Sequence, residues 1–408
     1  MKRFSCAACA FLLLALLTAA SGKGQSPNRG AEGTASEPAQ DYLVYVVSEA
    51  ADEITLVRFG PKGARVDQKF STGVMPSSID GPHGVAISRD REFYYVSLAH
   101  GSPFGSVWKY SVKKNAVLGK VTLGMFPATM DVSPDGQFLY VVNFNLHGDM
   151  VPSSVSVVST ELMTELARIT TCAMPHGSRF NPQGTKHYSV CMMDDMLVEI
   201  DTATLKVSRH FLLTKGKEMG MTGAPKAQTA MSMPGMKMGG AMMDKGKDTG
   251  GHGMDHPKPG DTSCSPTWAQ PSADGSKIYV ACNKSSEIVE IDANTWKLTR
   301  RINTGPGVYN LAATRDGRLI GTNKRGPSVS IIELKTGKEL ARIPTKRRVV
   351  HGAVVSPDDR YAFISIEGIG SEPGTVEVID LQTLKAVASV DVGQQAGGID
   401  FLRMEPAR

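Results

Sequence analysis

The chain has 408 residues, with 45 Lys and Arg against 40 Asp and Glu and a formal net charge of +5. That balance is too mild for a nucleic-acid binder, which would carry a concentrated basic surface. The chain is long enough for a large core, but its apolar residues fall in short, strand-like runs.

At the start, MKRFSCAACAFLLLALLTAASG sets Lys2 and Arg3 before an apolar run from Phe11 to Leu17 and then small residues. This is the layout of a secretory signal peptide, so residues 1–20 are expected to be removed. The apolar run is too short for a membrane span, which takes ~20 residues. Cys6 and Cys9 lie too far before the expected cleavage, near Ala20 or Gly22, to serve as a lipid anchor. Loss of Lys2 and Arg3 lowers the net charge to +3. Residues 21–40, rich in Gly, Ser, Pro and Glu, read as a disordered leader. The expectation is a periplasmic or secreted monomer without a transmembrane segment.

From residue 41 one unit recurs. It appears as SRDREFYYVSL (from Ser88), SPDGQFLYVVN (from Ser133), NPQGTKHYSVC (from Asn181), SADGSKIYVAC (from Ser272), TRDGRLIGTN (from Thr314) and SPDDRYAFIS (from Ser356). Each sets a tight turn before a strand of aromatic and β-branched residues. A second turn follows the third strand, as EIDTATLKV (from Glu199), EIDANTWKL (from Glu290) and VIDLQTLKA (from Val378). Four strands joined in this way make one propeller blade, whose apolar faces only neighbouring blades can cover.

The position five residues before the turn serine gives the blade count: His83, Ala128, His176, Thr267, Tyr309 and His351, with Ala396 in the final strand as the seventh. Most spacings are 42 to 48 residues, but His176 to Thr267 is 91. The N-terminal segment YLVYVVSEAADEITLVRFG supplies only later strands of a blade, and the C-terminal segment only the first. The fold expected is therefore an all-β, seven-bladed β-propeller of four-stranded blades over residues 41–408. The terminal strands close the ring, and residues 215–262 form a disordered insert without strand pattern.

Strand ends such as YVVN, with the SPDG and VIDLQT turns, resemble the YVTN-repeat propeller family. Related propellers include the catalytic domain of nitrous oxide reductase and the haem-bearing domain of the cytochrome-type nitrite reductase. The resemblance covers residues 41–408 except the insert and implies the fold rather than an activity. In those reductases, histidines on the propeller face serve copper or haem. This chain has no paired-histidine motif and no CxxCH, so the resemblance does not carry their chemistry over.

Nine of the twenty methionines fall in the insert: Met219, Met221, Met231, Met233, Met236, Met238, Met242, Met243 and Met254. His252 and His256 flank the last of them. Thioethers select Cu(I), and imidazole suits either copper state. Copper binding therefore competes with an inert or oxidation-buffering loop, and the absence of any apolar periodicity favours copper.

His83, His176 and His351 share one repeat position, each followed by Gly, at the start of an innermost strand. Rotation about the propeller axis relates them, so they are expected near the channel mouth, with Tyr309 and Thr267 in the same layer. They read either as metal ligands or as hydrogen-bond donors to the adjacent blade. The insert leaves from RHFLLT and returns at SPTWAQ, which places it on the same face.

Cys172 and Cys264 precede equivalent first strands, and Cys191 and Cys282 end equivalent second strands. Disulfides Cys172–Cys191 and Cys264–Cys282 are the simplest pairing in an oxidising setting. Metal ligation is the alternative, with Cys191 beside two thioethers in CMMDDM. No GxSxG, HExxH or P-loop is present. The leading reading is an exported copper-binding propeller with copper as its cofactor. A cell-envelope scaffold that docks another protein comes second, and an oxidoreductase or lactonase-like enzyme third.

Overall fold

The computed structural model describes residues 37–73, 79–100, 103–225 and 262–408. The expected signal peptide and the expected leader as far as residue 36 lie outside the described residues. Seven antiparallel sheets form the seven blades of the expected propeller. Blade 1 pairs the C-terminal strand Ala396–Pro406 with Gln40–Ser48, followed by Glu53–Gly60 and Gly63–Ser71. The pairing of the chain ends runs from Gln40↔Pro406 to Ser48↔Ala396. The innermost strands of blades 2 to 7 are Pro82–Ile87, Pro127–Val132, Pro175–Phe180, Pro266–Pro271, Val308–Ala313 and Val350–Val355.

The repeated turn has a specific chemistry. In SPDG the serine hydroxyl donates to the aspartate two residues on and accepts the amide that opens the second strand. Ser133 bonds Asp135 and receives Phe138 N–H at 3.0 Å, and Ser272 bonds Asp274 and receives Lys277 N–H at 3.0 Å. In blade 4 the side chain of Asn181 does the serine's work, accepting Lys186 N–H at 2.9 Å. The glycine supplies a left-handed φ, +77° at Gly136, which costs a residue without Cβ nothing. Blades 2 and 7 lack it and force Arg91 and Asp359 to +62° and +55°.

Packing lies between blades. Tyr42 and Phe59 of blade 1 meet Tyr361 and Phe363 of blade 7, while Tyr45 stacks on Tyr94 of blade 2 with centroids 4.4 Å apart. No blade buries its apolar faces alone, which is why the ring must close.

Both expected disulfides are present, Cys172–Cys191 and Cys264–Cys282, with sequence separations of 19 and 18. All four thiols are consumed, so the alternative of Cys191 or Cys172 as a metal ligand is withdrawn. Each bridge closes a short loop and should stabilise by about 3 kcal/mol in the chain-entropy model. A Cys172→Ser/Cys191→Ser double variant is expected to lose that amount in urea unfolding; an unchanged midpoint would contradict it.

The insert departs from expectation at its start. Met219–Thr222 forms a fifth strand on blade 4, pairing from Leu212↔Met219 to Arg209↔Thr222. The chain therefore turns back along the outer edge of the blade before its described part ends at Pro225. It had been expected to stay on the histidine face. The return at Thr262 does lie on that face. Met231, Met233, Met236, Met238, Met242, Met243, His252, Met254 and His256 lie outside the described residues.

Candidate functional site at the channel mouth

The three aligned histidines do converge. The His83 ring centroid lies 5.7 Å from that of His351 and 6.4 Å from that of His176. Tyr309, from the same repeat position in blade 6, fills the gap, 5.4 Å from His176 and 4.8 Å from His351. Thr267 turns its hydroxyl to the Tyr309 carbonyl and its own carbonyl to His176, and Ala128 and Ala396, in the blades on either side of His83, contribute only methyl groups.

The glycine after each histidine explains the crowding. A Cβ on Gly84 would sit 2.2 Å from the Ala128 carbonyl oxygen, and one on Gly177 would sit 2.5 Å from that of Thr267. One on Gly352 would come within 2.8 Å of the Gly397 carbonyl oxygen. Inner strands can approach the axis this closely only where no side chain intervenes. The His-Gly pair thus couples a chemical group to the packing that brings it inward.

Two of the three rings are held through Nδ1. His176 Nδ1 donates to the Thr267 carbonyl of the adjacent blade at 2.8 Å. His83 Nδ1 lies 2.6 Å from Glu49 Oε2 and donates to it, because an ionised carboxylate can only accept. His351 Nδ1 lies against Gly397 without a hydrogen bond. The second nitrogens face polar company or none. His176 Nε2 meets the Tyr309 hydroxyl at 3.1 Å, His351 Nε2 is 3.7 Å from Glu367 Oε1, and buried His83 Nε2 has no partner among the described residues. In His83, bonding to the neighbouring blade and availability to a ligand are therefore divided between the two nitrogens of one ring.

Electrostatics keep two of these imidazoles neutral. Burial pulls His176 down to about 3 and His351 well below the ordinary histidine value, and the Lys324 ammonium adds to both effects. Burial works against the charge of Glu49, yet hydrogen bonds from His100 at 2.7 Å and from His83 hold its carboxyl far below the usual range. The same bond raises His100. Lys324 lies 4.3 Å over the Tyr309 ring and 2.7 Å from Glu367.

Glu49, Lys324 and Glu367 were not anticipated from the sequence, although a signal for them exists. Each is the residue immediately after the second strand of its blade, as are Phe144, Met192 and Asn283. His100 follows by one more. The repeat alignment that exposed the histidine layer contains this second layer one strand further along. Phe126 and Phe144 wall the mouth beside His83 and His176, at 5.3 and 5.0 Å. Met174 is buried with them, and Met150, Met192 and Met193 pack alongside. Among the described residues no three His, Cys, Asp or Glu side chains stand ready to coordinate a metal.

The family described as "Lactonase, 7-bladed beta-propeller" matches residues 27–150. No curated protein sequence matches. Among solved structures, the periplasmic gluconolactonase of Pseudomonas aeruginosa is 15% identical with a TM-score of 0.62, covering 89% of this chain and 99% of that one. Hydrazine synthase of Kuenenia stuttgartiensis is 15% identical with a TM-score of 0.56, covering 88% and 100%. A dihydro-haem d1 dehydrogenase is 15% identical with a TM-score of 0.54, covering 91% and 78%. The matching family description is that of lactonase propellers, and the YVTN resemblance rests on the repeat motifs. At these identities the neighbours establish one thing, that the chain is a seven-bladed propeller of a kind on which several chemistries are built.

Proposed function

We propose that the channel mouth binds copper in an exported propeller, with His83, His176 and His351 as the imidazole ligands and the Met/His insert as the capturing segment. The observation that carries this is the convergence of the three rings, with Glu49 behind Nδ1 of His83 and the buried Nε2 of that ring left without a partner among the described residues. Nδ1 of His83 and of His176 is turned to the surrounding protein, and an ion at Nε2 of His176 would replace its Tyr309 contact. A carboxylate or carbonyl behind the far nitrogen is the usual support of a ligating histidine. The buried, neutral imidazoles of His176 and His351 suit the role, because only the unprotonated ring can ligate. Glu49 and Glu367 set two negative charges against the single ammonium of Lys324, which favours a cation in this space. The thioethers of the insert favour Cu(I).

Competition for Cu(I) against a colorimetric chelator tests this. Glu49→Gln is expected to weaken binding by about 10–100-fold, the usual cost of losing a group behind a ligand. His83→Ala/His176→Ala/His351→Ala is expected to abolish binding at the mouth. Replacing residues 226–261 with a Gly-Ser linker is expected to slow loading. If the intact chain binds no better than the triple variant, the mouth is not the site.

A second reading, hydrolysis of a lactone, is favoured by the family match, which spans Glu49, His83 and His100, and by Lys324. In that reading His83, backed by Glu49, takes a proton from water as it attacks the carbonyl carbon. Lys324 faces the developing oxyanion, the ring C–O bond breaks, and the proton passes to the leaving alkoxide. Turnover of δ-gluconolactone by copper-free protein, lost in Lys324→Met, would favour this reading over copper storage.

A further inference from the structure

The channel has a second mouth, on the face of the SPDG turns, and a cavity of about 520 Å³ opens there. It lies beyond the histidine layer, at the other end of the innermost strands. Its wall is divided. Asp131, Arg179, Gln270 and Asp400 form a polar arc, while Leu311 and Val354 belong to an apolar arc.

Most of the charged groups there are committed to the fold. Asp131 Oδ2 accepts Phe180 N–H at 2.9 Å, and Asp400 Oδ2 accepts Ile87 N–H at 2.8 Å, each stitching one inner strand to the next blade. Asp400 also takes Phe401 N–H at 2.8 Å. Arg89 is turned onto the carbonyls of Val132 and Ser133 and lies 3.5 Å from Asp131.

Arg179 is different. Its guanidinium stacks on the Trp268 ring, with Cζ 4.4 Å from the centroid. It gives one bond, from Nη1 to the Ser178 carbonyl at 2.8 Å. No carboxylate among the described residues lies within ion-pair distance of it. Stacking fixes the plane of the fork, so the remaining N–H groups are held in a fixed direction at the cavity wall. A planar fork of this kind matches a carboxylate through two parallel hydrogen bonds. The Gln270 amide stands on the same arc, and the apolar arc opposite would cover a hydrocarbon body.

We propose that this second mouth is a binding site for a small organic carboxylate, with Arg179 as the anion-binding residue. The site is independent of the copper reading, since it shares no residue with the histidine cluster.

Calorimetric titration of the full mature chain with sodium benzoate, with benzyl alcohol as the uncharged control, tests the proposal. Benzoate is expected to bind at least tenfold more tightly than benzyl alcohol. Arg179→Met should remove that preference, and Arg179→Lys, which keeps the charge and the fold but not the fork, should reduce it. His83→Ala should leave it unchanged. Equal affinity for acid and alcohol, or benzoate binding unaltered in both Arg179 variants, would overturn the proposal. So would silence of the wild-type protein toward benzoate.

Discussion

Replacing Asp195 with alanine is expected to lower the unfolding free energy by roughly 3–5 kcal/mol, the scale set by stranding several buried amide donors. Asp195 is fully buried, and its carboxylate accepts the N–H groups of Ser263, Cys264 and Ser265 at 2.6, 3.1 and 2.7 Å. Its main-chain oxygen receives Leu213 N–H at 2.7 Å, and its side chain also takes the Thr214 hydroxyl at 3.3 Å. One residue therefore holds both roots of the insert. The main-chain bond and the Cys264–Cys282 bridge survive the substitution, so unfolding should remain cooperative while the return root loosens. Urea denaturation reads the global loss, and hydrogen exchange at residues 263–265 reads the local one. Asp195→Asn, which keeps one acceptor oxygen but not the charge, should fall between. Unchanged exchange at those amides would show that the root is held by something else.

The second large effect is a loss of stability in acid. His176, His187 and His351 are buried, and burial lowers all three below the ordinary histidine value, His176 and His187 to about 3. Near pH 6 the unfolded chain binds protons at these positions that the folded chain refuses. Stability is therefore complete above the unfolded value near 6.5 and falls as pH drops below it. The slope is about 1.4 kcal/mol per pH unit for each group, so roughly 4 for the three together. His100 acts in the opposite sense. Its raised value contributes stability that is full below 6.5 and is lost as pH rises through the folded value. The Glu49 contribution is present above 4.5 and is lost in stronger acid. Unfolding curves at pH 7, 6 and 5 measure the sum.

His187 isolates one share of that slope. It lies between Tyr140 and Phe180, with centroids 4.7 and 4.6 Å away, and neither of its nitrogens has a partner among the described residues. His187→Leu should remove one proton from the slope and gain about 1–2 kcal/mol at pH 5, since two stranded polar atoms disappear. A variant with the parent's pH profile would mean that His187 is not held neutral.

The blade count and the disulfide pairs were legible because both depend on position within a repeat. Turn chemistry recurs every blade, and Cys172 and Cys264 stand at one repeat position as Cys191 and Cys282 stand at another. The histidine layer was legible for the same reason. Glu49, Lys324 and Glu367 were not, because one repeat position carries carboxylate, ammonium, phenyl, thioether and amide in different blades. A site made of unlike residues leaves no visible period. The strand Met219–Thr222 was hidden differently. MGMT has weak strand preference, and it forms because an existing edge receives it. Gly220 makes the fit, since a Cβ there would come within 2.2 Å of the Trp296 ring.

The pairing of Gln40–Ser48 with Ala396–Pro406 also has a consequence for timing. The innermost strand of the first blade is synthesised after every other strand of the ring. Until it arrives, the second blade faces an incomplete neighbour, and the aromatic seam between blades 7 and 1 lacks Phe401. A growing chain can build blades in order but cannot complete the circle, so the final event is closure of a loop that spans nearly the whole sequence. Loop entropy rises only slowly with length, whereas the search for so distant a partner is slow. The finished ring thus gains a late, all-or-none latch, and the chain passes through its synthesis as an open arc.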